Sequence, residues 1–535
     1  MKRLLLLAVM VLTLTGTAQA WGWWNYPPDN EDVQLTSTNL PIVWLDVDGE
    51  YIDRDERITA RMKIIHNGDG NLNWADTVSH PGQRIDYEGY VALRYRGSSS
   101  FNNSDKKPYS LRPLDKPLGD GGEKVKVNIL GMGKDHTWAL LAPYADKSMI
   151  RALLAFEISR PWMEYTPQGR LCELFLDGTY YGVYILTEVV SKGKHRTNLP
   201  DPGLEGDELT GGYIMEVNRT DGEVTHTSKY HPVSSTGQAY NYQYISFQYK
   251  SPDYEDMTEE QVSYINGRID QMERSLWNYR PTGIASYEAY IDATNFIDYQ
   301  IAQELGHNVD AYRLSGKFFK RRDSVDSRFK MVLWDMNLAY GNSDYYQGWR
   351  TDTWIYKNNN ILNNEGDQQL IPFWWYKLNT NPDYTAALKS RWAQYRRSNL
   401  RLDRVMATID SLALVLTSHG AERRNSEAWP RWGQYVWPNY YVAIDYADEI
   451  SYLKQWLGER IAWMDSQLGF DPDAHVLGDV NSDGIIDVGD VTALIAYVLA
   501  GNASGIDLDA ADCNQDGNYD VGDVASLITL VLNAP

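Results

Sequence analysis

Cysteine is scarce: Cys172 and Cys513 are the only two in 535 residues. So distant a pair excludes a disulfide framework and any C-x-x-C zinc or redox motif. Cys172 lies in the strand-like LCELFLDG and is expected to be buried. Long apolar runs are also missing, for none approaches the roughly 20 residues that span a bilayer. The longest opens the chain, MKRLLLLAVMVLTLTGTAQA. Its basic start, short apolar stretch and small-residue Ala18-Gln19-Ala20 read as a secretory signal peptide over residues 1–20, with the mature chain starting near Trp21. No cysteine stands there to take a lipid. The expectation is a secreted protein, extracellular or cell-surface associated, with no transmembrane span after cleavage.

Positive charge is absent from the last stretch. Residues 471–535 hold twelve Asp and no Glu, Lys or Arg, more than half of the chain's net charge of −22. This asymmetry excludes nucleic acid as a partner and points to cations. Two segments of the tail align: DVNSDGIIDVGDVTALIAYVL (479–499) and DCNQDGNYDVGDVASLITLVL (512–532), identical at 13 of 21 positions. Oxygen ligands recur at loop positions 1, 3, 5, 9 and 12: Asp479, Asn481, Asp483, Asp487 and Asp490, then Asp512, Asn514, Asp516, Asp520 and Asp523. Gly484 and Gly517 fall at position 6, where the loop turns sharply, and Ile485 and Asn518 at position 7 offer a backbone carbonyl. A hard cation such as calcium needs this ligand set, so two calcium ions are expected, in loops 479–490 and 512–523.

After each loop the apolar period turns helical, and no amphipathic helix precedes either one. An ordinary EF-hand has two helices and a glutamate at position 12. The loop-helix pair with aspartate there resembles a type I dockerin, a small all-α module of paired F-hand motifs. The resemblance implies a cohesin domain of a scaffold protein as partner. It also implies that Val488, Gly489, Val521 and Gly522, at positions 10 and 11, contact the cohesin.

The preceding region, 30–470, reads as α+β. Alternating apolar runs fill 30–220, with a hairpin expected at Asp177-Gly178, and helical periodicity dominates 258–470. Kinase signatures are absent: there is no HRD, DFG, GxGxxGxV or Walker A sequence. Two aspartates nevertheless stand in unusual settings. Asp310, in HNVD, follows a helix-like run, and Asp335, in VLWDMN, follows an apolar strand-like run. Phosphoryl transfer needs a carboxylate for the acceptor's proton, a held cation, and positive side chains for the phosphates. Asp310 and Asp335 fit the first two needs, and Arg94, Arg96, Lys106 and Lys107 fit the third; on spacing alone, structural acids with hydrogen-bonded partners also explain both aspartates.

The ordered series RGSSS…KKPYSL, WALLAPYADKSMIRALLAFEISR, ELFLDGTYYGVYILTE, GGYIMEVN, NVDAYRLSGKFFKRR and FKMVLWDMNLAYGN resembles the spore-coat protein H (CotH) kinase family. The resemblance implies an atypical protein-kinase-like, two-lobed fold that binds ATP with magnesium or manganese and phosphorylates protein serines. It assigns Asp310 as catalytic and Asp335 as the metal-binding aspartate, joined by Asn337 as a carbonyl ligand. Lys107 and Arg96 become the phosphate contacts. Two other readings stay open: a catalytically weak adaptor that binds protein or glycan within a cellulosome-like complex, and a glycoside hydrolase.

Overall fold

The computed structural model describes residues 33–278, 286–472 and 474–533; the expected signal peptide lies outside them. Among the described residues no helix is long and apolar enough to cross a membrane. The first half closes into a barrel of seven strands: β1 (Ile42–Asp46), β2 (Ile58–Ile65), β3 (Ile85–Tyr95), β4 (Tyr109–Leu114), β5 (Trp138–Leu141), β6 (Gly169–Leu176) and β7 (Thr179–Glu188). Around it the order is β6-β7-β5-β4-β3-β2-β1, and β1 closes the ring by pairing in parallel with β6, Glu173 opposite Ile42. Alternation puts Val91, Leu93, Tyr109, Leu111, Trp138 and Leu140 inside, which is what a period of two requires of a small filled barrel. β6 and β7 form the expected hairpin, with Asp177 and Gly178 both at positive φ. Cys172 is fully buried in the barrel.

A second, antiparallel sheet follows, ordered β9-β10-β8-β11-β12. It comprises β8 (Tyr213–Val217), β9 (Thr225–Thr227), β10 (Ser246–Ser251), β11 (Gly316–Lys320) and β12 (Phe329–Val332). Three of these strands lie beyond residue 240, so this sheet draws on both the expected strand-rich and helix-rich stretches. GKFFK and FKMV are apolar runs too short for periodicity to tell strand from helix; their pairing partners, not their local pattern, make them strands.

Seven helices follow or interleave with the strands, α6 packing on β7 of the barrel: α1 (Arg151–Ser159), α2 (Glu259–Trp277), α3 (Ala293–Gly306), α4 (Pro382–Arg397), α5 (Leu402–Thr417), α6 (Ala421–Ala428) and α7 (Tyr446–Leu468). A capping box from Thr258 and Gln261 starts α2. Buried ion pairs fix the packing. Arg151 meets Asp146 at 2.8 Å and Glu449 of α7 at 2.6 Å, which removes it from any phosphate. Arg424 of α6 meets Glu173 of β6 at 2.8 Å, tying the helices to the barrel. Losing one partner of such a pair strands a buried charge and costs about 3–5 kcal/mol.

The tail has a separate small core of Val480, Leu494, Ala511, Cys513 and Leu527, between α8 (Val488–Ala500) and α9 (Val521–Asn533). A single helical turn, Leu508–Ala511, precedes the second loop; it is too short to show as a helical period. Because this core shares no residue with the other two clusters, deleting 471–535 is expected to leave a protein that melts cooperatively within a few degrees of the full chain. Calorimetry checks this; an aggregating or non-cooperative fragment would place part of the large core in the tail.

Candidate functional site

Asp310 stands where α3 ends. His307, at φ +42°, caps the helix in the left-handed conformation, and the chain turns so that Leu314 N–H donates to Asp310 O. His307 is fully buried and its Nε2–H donates to Gln347 O, 3.2 Å away, a structural histidine. The Asp310 carboxylate accepts from Arg313 at 3.0 Å, and Arg313 is held in turn by Asp367 at 2.7 Å.

Asp335 stands just past β12, itself at φ +60°. Ser315 Oγ donates to its Oδ2 at 3.0 Å. One side chain joins the two segments: Asn308 Nδ2 donates to Asp335 O at 3.2 Å, and Asn308 Oδ1 accepts from Asp310 N–H at 3.3 Å. Both carboxyl groups are pushed above the usual carboxylate range. For Asp310 desolvation is the main cause, opposed by Arg313 and Arg219. Asp335 reaches solvent through the cavity mouth but is otherwise enclosed; that desolvation comes first, then the charge of Asp310, with Ser315 and Arg96 opposing. Two acids that discourage each other's ionisation form a set that a divalent cation would neutralise.

A cavity opens in front of Asp335. Arg96, Ser99, Asp335 and Asn337 supply polar groups to its wall, and Leu141, Phe156, Ile185, Trp334 and Trp437 supply apolar ones. Arg96 lies over the Trp334 ring, 5.4 Å from its centroid. The structure does not bring Lys107 there: its ammonium donates to Phe101 O at 2.6 Å and lies over the Phe101 ring. Lys106 is buried, bonded to Val183 O and to Asn425 Oδ1, so neither lysine of the pair lines the cavity.

Sequence reasoning missed a different lysine. Glu216 of β8 and Lys317 of β11 stand directly opposite in the sheet register and pair at 2.9 Å, both nearly buried. The charge of Glu216 reaches both Arg96 and Asp335, so the pair lies near both without lining the cavity. The signal was present: a lone acid in the apolar strand YIMEV, and in GKFFK two lysines, Lys317 and Lys320, flanking an apolar pair.

In the tail, both loops fold alike. Asp490 accepts from Asn481 N–H at 3.0 Å and Asp487 N–H at 2.8 Å; Asp523 repeats this with Asn514 and Asp520 at 3.2 and 2.9 Å. Gly484 and Gly517 turn the loops at φ +89° and +80°. Asp479 Oδ2 accepts from Gly484 N–H at 3.0 Å, while its Oδ1 is buried without a partner. An orphaned carboxylate oxygen inside a ring of acids fits a calcium ligand. Gly489 and Gly522 are exposed and lie close against these loops, where a Cβ would come within 2.9 Å of the carboxylate of Asp487 or Asp520. Val488 and Val521 also point outward, 69% and 72% exposed, and each begins a matching apolar stripe, Val488-Ile495-Leu499 and Val521-Ile528-Leu532.

The family model for CotH kinase protein matches residues 93–464, and that for the dockerin type I domain matches residues 477–532. No curated protein matches the chain significantly.

Proposed function

Since the chain belongs to the CotH kinase protein family and ends in a type I dockerin, we propose that it is a secreted kinase that phosphorylates protein serines while held on a cohesin-bearing assembly. One observation carries the reading: Asn308 ties the Asp310 segment to Asp335, and Asp335 lines a cavity together with Arg96 while Asp310 stands just outside its wall. In this reading the barrel and the second sheet with its helices act as the two lobes. The apolar walls of Leu141, Phe156 and Ile185 take the adenine. Asp335 and Asn337 would hold magnesium or manganese, which when bound supplies positive charge to the phosphates. Arg96 and Lys317, the latter kept in place by Glu216, add fixed positive charge where negative charge gathers in the transition state. Asp310, oriented by Arg313, accepts the proton of the serine hydroxyl as its oxygen bonds to the γ-phosphorus and the bond to ADP breaks.

The test is metal-dependent ATP binding by calorimetry, followed by labelled-phosphate transfer to serine-bearing proteins. Binding and transfer together support the kinase. Absence of both turns the reading to the adaptor.

The paired apolar stripes bear on docking. If either stripe alone seats the cohesin, Val488→Asp is expected to weaken binding no more than about threefold. Val488→Asp with Val521→Asp then loses binding by on the order of 100-fold or more, since a charge is desolvated on each face. Titration against a cohesin checks this; a single variant that eliminates binding would show that one face does all the docking.

A further inference from the structure

The outer face of β2, β3 and β4 carries an unusual concentration of positive charge. In the register Ala92 lies opposite Arg112 and Leu93 opposite Ile58, so Arg57, just before β2, flanks Arg94, and Arg112 sits diagonally across from Arg94. Val91, Leu93, Tyr95 and Leu111 fill the barrel, which turns the arginines outward. Arg57 donates to Ala92 O at 2.9 Å, Ser110 O at 3.3 Å and Ser110 Oγ at 2.9 Å, and Arg94 donates to Asp55 O at 3.0 Å. Those acceptors are neutral. Among the described residues no carboxylate forms an ion pair with Arg57, Arg94, Arg96 or Arg112, whereas Arg151, Arg313, Arg396 and Arg424 each hold one.

Unpaired like charges on neighbouring strands repel. Here burial, and then Arg112, Arg94 and Arg96, lower the Arg57 guanidinium to about 9. In a chain of 72 acids and 50 bases, four guanidinium groups with no carboxylate in ion-pair contact form an anion-seeking surface, although the charges of Asp335 and Glu216 reach Arg96 and that of Asp253 reaches Arg112. Arg96 ends the row at the cavity beside Asp335, while Arg57, Arg94 and Arg112 lie outside the cavity wall. Three adjacent strands span about 10 Å, the length of roughly three extended residues, more than one phosphate group fills.

We propose that this arginine face docks an acidic segment of the acceptor protein, bearing clustered carboxylates or phosphoserines, and so presents the neighbouring serine to Asp310. The docking stands on the arginines themselves; the presentation rests on the kinase reading above. Arginine's planar fork suits both anions.

The test uses the full chain and three fluorescent peptides with one central serine, flanked by glutamates, by phosphoserines, or by lysines. Anisotropy without nucleotide reads docking alone. The glutamate or phosphoserine peptide is expected to bind at least ~10-fold more tightly than the lysine peptide, with affinity falling as salt rises. The preference between the two anionic peptides identifies the source of the charge. Arg57→Gln with Arg112→Gln is expected to remove that preference while ATP binding and the melting temperature stay unchanged. Should the double variant melt early, Arg94→Gln alone is expected to weaken anionic-peptide binding severalfold at the wild-type melting temperature. Equal binding of all peptides, or loss of ATP binding in the double variant, overturns the proposal. Anionic-peptide binding without phosphate transfer keeps the docking face and removes the kinase step.

Discussion

Asp335→Asn is expected to weaken metal-dependent ATP binding by on the order of 100-fold, because the cation that Asp335 would hold loses its charged ligand. Asparagine is the informative replacement. Asp335 sits at φ +60°, where alanine adds strain of about 1–2 kcal/mol but asparagine is tolerated, so a folding defect does not imitate a binding defect. Asp310→Ala is expected to do the opposite, leaving ATP affinity within about threefold and lowering transfer by ~10²–10⁴-fold, the usual range for a lost general base. The contrast comes from the contacts: Asp310 is held by Arg313, which Asp367 anchors in turn, and stands outside the cavity wall, whereas Asp335 faces the cavity beside Arg96. Calorimetry and labelled-phosphate transfer read the two effects separately. If both variants phosphorylate at the wild-type rate, neither aspartate serves the reaction and the kinase reading falls.

What the sequence made legible is what is encoded locally. An acid at the end of an apolar run is visible without a fold, and both Asp310 and Asp335 announce themselves so. Calcium ligands spaced over twelve residues, repeated after 33, are equally local. Partners set by sheet register are not. Nothing near Glu216 points to Lys317; only the pairing of β8 with β11 brings them together. Asn308 is likewise unremarkable until α3 and β12 converge and its amide meets both aspartate segments. Lys107 is expected beside Arg96 as a phosphate contact, yet backbone carbonyls of Val183 and Phe101, distant or hidden in the sequence, hold the Lys106 and Lys107 ammonium groups elsewhere. Closure of the barrel, which needs β1 beside β6, is also a long-range event.

Chelating calcium is expected to unfold the tail and to abolish cohesin binding, with the unfolding of the large domain unchanged. Each loop gathers four aspartates, and two of them, Asp490 and Asp523, are completely buried. Asp479 is pushed above the usual carboxylate range by burial and then by Asp490, so the loop resists carrying its own charge when no cation balances it. Against this repulsion stands a core of Val480, Leu494, Ala511, Cys513 and Leu527. So few buried side chains contribute too little to hold a module of this size without a staple. A bound ion at a thousand times its dissociation constant contributes about 4 kcal/mol, and two such ions exceed what the apolar contacts provide. Folding and calcium binding are then one event. In EDTA the helical circular dichroism of a tail fragment is expected to collapse, and cohesin affinity in the full chain to fall by at least ~1,000-fold, both returning on adding calcium. Asp490→Ala in the first loop removes a carboxylate that also accepts from Asn481 and Asp487 N–H, so it is expected to reproduce the EDTA state in that loop with calcium present. A tail that keeps its helices and its partner in EDTA would show that side-chain packing alone folds it, and that the acids serve only as a charged surface.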